Sequence, residues 1–420
     1  MNGRDQTEVL VVGAGPVGMF LALLLAEYGI RVKLIDQESG PSTHSYSCAL
    51  HPRTFQLFDH AGLTPDVLEL GHFVDNVAFY HDGHRCAELK LAPRAGESSH
   101  VVVLPQNTLE SLLERRLRQF EHVEVNWNCR LSEVKFDGNG VVASIDKLTE
   151  SAKGYAAADW DAVVDKTIQT RADFLIGADG HNSQVRQCLG IEYDTVGAPE
   201  LFVIYQFQSD ETCGHEMKIV LSDKTVSAMW PLAANQCRWS FQINPADARA
   251  DFPGKDRSPF TIEELRSEND SQHHLQDLLK RRAPWFAGTV KQMGWSTDLQ
   301  IERRLARQFG RNRCWLAGDA AHQTGPIGMQ SMNVGLREAA DLAVRLKKIL
   351  REKASEDLLQ TYNADRRTDW QRLLGLDGAP TPAPDAAPWL KKHAAQIPSL
   401  LPASGEDLAL LLSRLGLSVK

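Results

Sequence analysis

The chain has 420 residues, with 46 Lys and Arg against 54 Asp and Glu, and a formal net charge of −8. That length exceeds one comfortable core, so two domains are expected, and 43% apolar and 24% charged residues are the fractions of an ordinary globular chain. No basic block interleaved with aromatics points to a nucleic-acid partner, no apolar run is long enough to span a bilayer, and the polar N-terminus lacks a secretory pattern. The seven cysteines are scattered with no CxxC pair, so no disulfide framework is expected and a reducing cytoplasm fits. His44, His51, His60, His72, His81 and His84 lack metal-site spacing, and no metal is expected.

In chain order, the first signal is VVGAGPVG. A strand over 9–12 leads into a turn through Gly13, Ala14, Gly15, Pro16, Val17 and Gly18, and an apolar helix follows over 16–28. Gly13 permits the turn, Gly15 lets backbone approach a pyrophosphate, Gly18 lets helix and strand pack, and the helix start favours phosphate charge. A second strand over 31–35 ends in Asp36 and Gln37, where an acid accepts ribose hydroxyls. This is a dinucleotide site, with NAD and FAD both open. Arg53 sits at a helix start in ALHPRTFQLFDHAGL, and a hairpin turns at Asp82 and Gly83. Gln106 stands where a strand meets an amphipathic helix, as a site residue or as a helix cap.

A short apolar strand over 174–176 then runs into Gly177, Ala178, Asp179, Gly180, Ser183, Val185 and Arg186. Beyond it, ELFVIYQFQ, MKIVLSDKTVSAMWPL and CRWSFQIN alternate apolar and polar residues as half-buried antiparallel strands do, which makes a second, sheet-based domain. A strand over 314–316 precedes Gly318, Asp319, Ala320, Ala321 and His322. A loop through Pro326, Gly328, Met329, Ser331 and Met332 reaches a long helix starting near Asn333. A second helix carries Tyr362, Arg366 and Trp370, and GLDGAPTPAPDAAP breaks all periodicity as a linker or strap. The last helix starts at Ser404, and its apolar face is free to pack on its own subunit, cap a cavity or meet a second subunit.

The stretches VVGAGPVG, FLIGADGHNSQVR and CWLAGDAAHQTGPIGMQSMN, in that order, resemble the group A flavoprotein monooxygenases, the family of p-hydroxybenzoate hydroxylase. The resemblance implies an α/β fold: a Rossmann-like FAD-binding domain from 1–75, 101–187 and 296–372, with an inserted, mainly antiparallel β-sheet substrate domain from 76–100 and 188–295. A linker and C-terminal helical tail occupy 373–420. It implies FAD as cofactor and NADPH or NADH as transient reductant. Asp319 would accept a ribityl hydroxyl, and Asp36, Gln37, Ser47, Arg53, Gln106, Asp179, Gly318, Gly328, Met329, Ser331, Met332 and Asn333 would contact FAD with the glycine turn. The activity implied is insertion of one oxygen atom from O2, through a flavin C4a-hydroperoxide, into an aromatic or polyketide-like molecule. Epoxidation, Baeyer–Villiger oxidation, halogenation, prenyl-chain reduction and a non-catalytic FAD-fold binding protein stay open beside it.

Tyr205, Met229, Trp230, Pro231 and Pro326 are the substrate-pocket candidates, with plain core packing as their other reading. No covalent or acid–base residue is assigned, and neither a G-x-S-x-G elbow nor H-E-x-x-H is present. The expected state is monomer or homodimer. Two departures from the family bear on affinity. Tyr46 stands where many members carry an arginine beside the FAD diphosphate, leaving Ser45, Ser47 and backbone donors there, and Met329 and Ser331 replace frequent loop glycines.

Overall fold

The structure, a computed structural model, describes residues 5–42, 49–91, 100–153, 159–244 and 268–419. An eight-stranded sheet carries the first domain. Its parallel centre places Asp5–Val12 between Val32–Ile35 and the end of Asp159–Gly177, with Val123–Asn126 and Cys314–Leu316 outside them. The helix Pro16–Glu27 is apolar on nearly every side because it is covered on every side: the sheet lies under it, and the helices Gln106–Leu117 and Gln330–Glu352 flank it. Gly335 makes one crossing close, since a Cβ there would lie 2.8 Å from Val17 Cγ2 and 2.9 Å from Gly318 Cα.

The strand expected over 174–176 is the end of a far longer one, Asp159–Gly177, paired antiparallel with Val141–Lys153. Residues 164–167 are exposed, so this arm lacks the apolar alternation that marks a half-buried strand. The helix expected near Asn333 begins three residues earlier, at Gln330, with Met329 as its cap.

The second domain is a seven-stranded sheet in the order Val290–Ile301, Glu200–Ser209, Gln236–Ile243, Val226–Pro231, Glu216–Leu221, Asn76–His81, His84–Lys90. All neighbours are antiparallel except Glu216–Leu221 with Asn76–His81. Asp82 and Gly83 both take positive φ (51° and 76°), which matches the twist of the hairpin they close. The strand Val290–Ile301 crosses the boundary expected at 296 and pairs along its length with Glu200–Ser209. One face of this sheet lies under the helix Glu268–Arg282. The other shares a core with the loop at Ile327 and Met329 and with the C-terminal tail, so the last helix, Gly405–Arg414, packs on its own chain. No helix among the described residues is long and apolar enough to cross a membrane.

Candidate functional site

The three glycine-and-acid motifs meet at one place because their strands are neighbours. Gly13 N–H donates to Ile35 O (2.8 Å), Ala178 N–H to Val12 O (2.7 Å) and Ala317 N–H to Gly177 O (2.9 Å). Gly13 sits at φ 105°, and a Cβ there would lie 2.2 Å from Ala178 O; one on Gly18 would lie 1.9 Å from Gly13 O. A Cβ on Gly15 would meet nothing within 4 Å, so space opens directly before the helix start. Gly15 caps that helix without a side chain, leaving first-turn N–H groups available to an anion. Asp36 faces the same turn, its carboxylate accepting from Ala14 N–H (2.6 Å) and Glu38 N–H (2.9 Å) with lone pairs to spare for a hydroxyl. Gln37 is exposed just beyond it.

Asp319 lies in the turn Gly318–Ala320, with Gly318 at φ 64°. Burial raises its pKa, opposed by His322 and His181, and among the described residues no hydrogen bond reaches its carboxylate. A half-buried acceptor still without a donor matches a ligand that supplies one. The loop is held from behind: Arg186 donates to Ala320 O (2.8 Å) and to His181 O (2.8 Å) while stacking on Tyr193, whose hydroxyl donates to Asp319 O (3.1 Å). Asp179 has a different occupation. Its carboxylate takes Ser183 Oγ–H (2.6 Å) and Val185 N–H (3.0 Å), closing the start of the helix Gln184–Cys188.

In the late loop, Ser331 Oγ accepts from Thr324 N–H (3.0 Å), Met332 is buried and Pro326 half-buried. Asn333, fully buried, stitches the loop to the neighbouring strand by accepting from His51 N–H (2.7 Å) and donating to Ala49 O (2.8 Å) and Met329 O (2.7 Å). Its side chain is thus spent on the loop, while the helix start presents free N–H groups. Gln106 donates to Glu110 (2.9 Å), whose other oxygen accepts from Ser42 N–H (2.8 Å). Arg53 turns to the last helix, pairing with Glu406 (2.7 Å) and Asp407 (3.0 Å). Ser45, Tyr46 and Ser47 lie outside the described residues.

The substrate-pocket set divides by strand alternation. Trp230 faces the loop, its indole N–H donating to Ile327 O (3.1 Å). Met229 and Tyr205 face the other way, into the core under the helix Glu268–Arg282, where Tyr205 Oη lies 2.7 Å from His274 Nδ1. They are therefore outer-face core rather than pocket, because side chains one residue apart point to opposite faces. Pro231 is buried at the strand end. The loop-facing row beside Trp230 contains Arg238, fully buried, bonded to Gln206 (2.7 Å) and set over Trp295. Polar alternation in CRWSFQIN marked that row, but as a solvated face. Tyr205→Phe is accordingly expected to leave substrate KM within about twofold; a rise on the scale of a lost hydrogen bond would return Tyr205 to the pocket.

Two further residues escaped the sequence reading. His51 sits within the site's support, its Nε2–H donating to Gly328 O (2.9 Å), and burial, with Arg337's charge adding, pushes its pKa down to about 3. Below the ordinary value of 6.5 the unfolded chain binds the proton that folded His51 refuses, so this stability is present above 6.5 and is lost as pH falls toward 3. His51→Gln should therefore lose about 2 kcal/mol less than the parent on going to about pH 5. Parallel pH–stability curves in urea would contradict it. The second is Glu338, fully buried behind Gly318.

A Rossmann-like glycine turn joined to two Gly-Asp loops beneath a second sheet defines a dinucleotide-binding flavoprotein fold. The chain belongs to the FAD binding domain family, whose model matches residues 6–375. It is similar to pentachlorophenol 4-monooxygenase of Sphingobium chlorophenolicum, at 26% identity over 87% of this chain and 63% of that protein. With para-nitrophenol 4-monooxygenase of Pseudomonas sp. (strain WBC-3) the identity is 28% over 86% and 82%. The chain thus spans less than two thirds of the first relative's length. The solved p-nitrophenol 4-monooxygenase of Pseudomonas putida DLL-E4 shares the fold, with TM-score 0.73 and 24% identity over 98% of this chain and 94% of that one.

Proposed function

We propose that the protein is an FAD-dependent, NAD(P)H-consuming monooxygenase that inserts one oxygen atom from O2 into an aromatic or polyketide-like small molecule. The observation that carries this is Asp319: a half-buried carboxylate that accepts no hydrogen bond among the described residues, in a loop joined through Gly177 and Ala178 to the strand that enters the glycine turn, where space is open at Gly15. These residues fit FAD. The Gly15 turn and helix start would hold the pyrophosphate, Asp36 the adenosine ribose, and Asp319 the ribityl chain.

Bound FAD supplies electron transfer from NAD(P)H and activation of O2. The chain supplies position, charge and dryness. The N–H groups at the start of Gln330–Glu352 would favour negative charge on a flavin ring held by the loop. Trp230 fixes the sheet to that loop, and the row beside it, buried Arg238 with half-buried Gln206 and Trp295, would form the ceiling over a substrate and help exclude water. The named relatives act on phenols, which makes phenolic compounds the first to try.

The test is turnover under isotopically labelled O2 with a panel of phenols. One labelled oxygen atom in the product, with NADPH or NADH consumed, is the expected result. Reductant consumed anaerobically with a reduced product, or a chloride-dependent product, would replace this reading with a reductase or a halogenase.

A further inference from the structure

The tail beyond residue 375, where the family match ends, returns over the flavin-side loop. Gln330 is 1% exposed, and its amide donates to three tail carbonyls: Pro398 (2.7 Å), Ala403 (3.0 Å) and Leu401 (3.3 Å). The backbones touch as well, since a Cβ on Gly328 would lie 2.6 Å from Ser399 O and 2.8 Å from Leu401 O. Further along, Ser404 Oγ accepts from Arg337 (2.8 Å), and Glu406 and Asp407 grip Arg53 at the start of Pro52–His60. Leu400, Leu401 and Ala403 share a core with Ile327, Met329 and Trp230, separate from the core under the eight-stranded sheet.

What the tail holds is unusual backbone. Met329 caps the long helix in the left-handed region (φ 51°, ψ 34°), which disfavours any residue with a Cβ, and glycine would reach it without a clamp. The carbonyls of Met329 and Gly328 are taken by Asn333 and His51 from one side, and Gln330 is taken by the tail from the other.

We propose that residues 397–407 are a positioning element of the cofactor loop, acting through Gln330, which locks the Met329 turn and so aims the first-turn N–H groups of the helix Gln330–Glu352 at the flavin ring edge. The proposal rests on the FAD reading above. It makes the tail part of the site: a segment outside the family match stands in for the loop glycines that this chain lacks.

Gln330→Met keeps length and volume and removes both donors. FAD affinity, the shape of the bound flavin's visible absorption bands and the thermal midpoint of the apo protein are measured together. The expected result is about tenfold weaker FAD with altered band shape, since the ring edge loses its aligned N–H groups. Unchanged affinity and bands, with only a lower apo midpoint, would reduce Gln330 to packing and overturn the proposal. Should that variant not fold, Glu406→Gln combined with Asp407→Asn loosens the tail at its exposed end. About threefold weaker FAD and a changed spectrum support the positioning role, and an unchanged pair of readings overturns it. Parent protein that binds no FAD overturns the functional reading as well. Parent that binds FAD, with both variants like it, defeats the tail proposal alone.

Discussion

Glu338→Gln is expected to lower unfolding stability by about 3–5 kcal/mol, measured in urea, and to weaken FAD binding with it. Glu338 is fully buried, and its hydrogen-bond partners among the described residues are all donors. Oε2 accepts from Gly318 N–H (2.9 Å) and His322 Nε2 (2.7 Å), and Oε1 accepts from Trp370 Nε1–H (2.8 Å), with His322 stacked on Trp370 at 3.7 Å. A carboxylate only accepts, whereas an amide must turn an N–H toward one of these donors. Burial works to raise this carboxyl's pKa, but His322, Arg366 and Gly318 overcome it, so the folded value lies below the ordinary 4.5. A depressed acid stabilises above its unfolded pKa and loses that contribution as pH falls through the folded one. The gap between parent and variant should therefore narrow below about pH 4.5. A gap under about 1 kcal/mol at neutral pH would mean that the network is not held by charge.

Asp319→Ala is expected to weaken FAD by roughly ten- to a hundredfold, the worth of a charge-assisted hydrogen bond at about 1.5–3 kcal/mol, while the apo protein melts no lower than the parent. The two readouts separate because this half-buried carboxylate accepts no bond among the described residues, and burial raises its pKa. A raised acid pKa makes the ionised group a cost that grows as pH rises above 3.8, so its removal relieves the fold at neutral pH. Lost affinity with retained stability is the pattern of a residue kept for its ligand. Equal losses in both would mark Asp319 as structural.

What could be read from sequence was what is decided locally. The turn at Gly13 and the hairpin at Asp82 and Gly83 follow from backbone needs that only certain residues meet, and Asp36 ends the next strand beside the Gly13 turn. The two-domain α/β architecture followed from a fixed order of motifs with alternating strands between them. Strand alternation alone separates Met229 from Trp230, since neighbours on one strand cannot share a face. Arg238 was hidden because a polar row reads as solvated until a second layer is known to cover it. Glu338, His51 and Gln330 had no local signal, for the partners of their side chains come from residues 16 to 277 positions away. Arg53 belongs with them: its helix start was legible, its partners in the tail were not.

Whether the site around Gly15 and Asp319 binds FAD and passes electrons through it can be measured without any substrate. Purified protein is titrated with FAD, oxygen is removed, NADPH or NADH is added, and flavin absorbance is followed before and after air returns. Saturable binding, bleaching by reductant and recovery of the yellow colour in air are the predicted result. Protein that takes up no FAD, or bound FAD that neither nicotinamide bleaches, would rule out a monooxygenase and leave a binding protein built on the same fold.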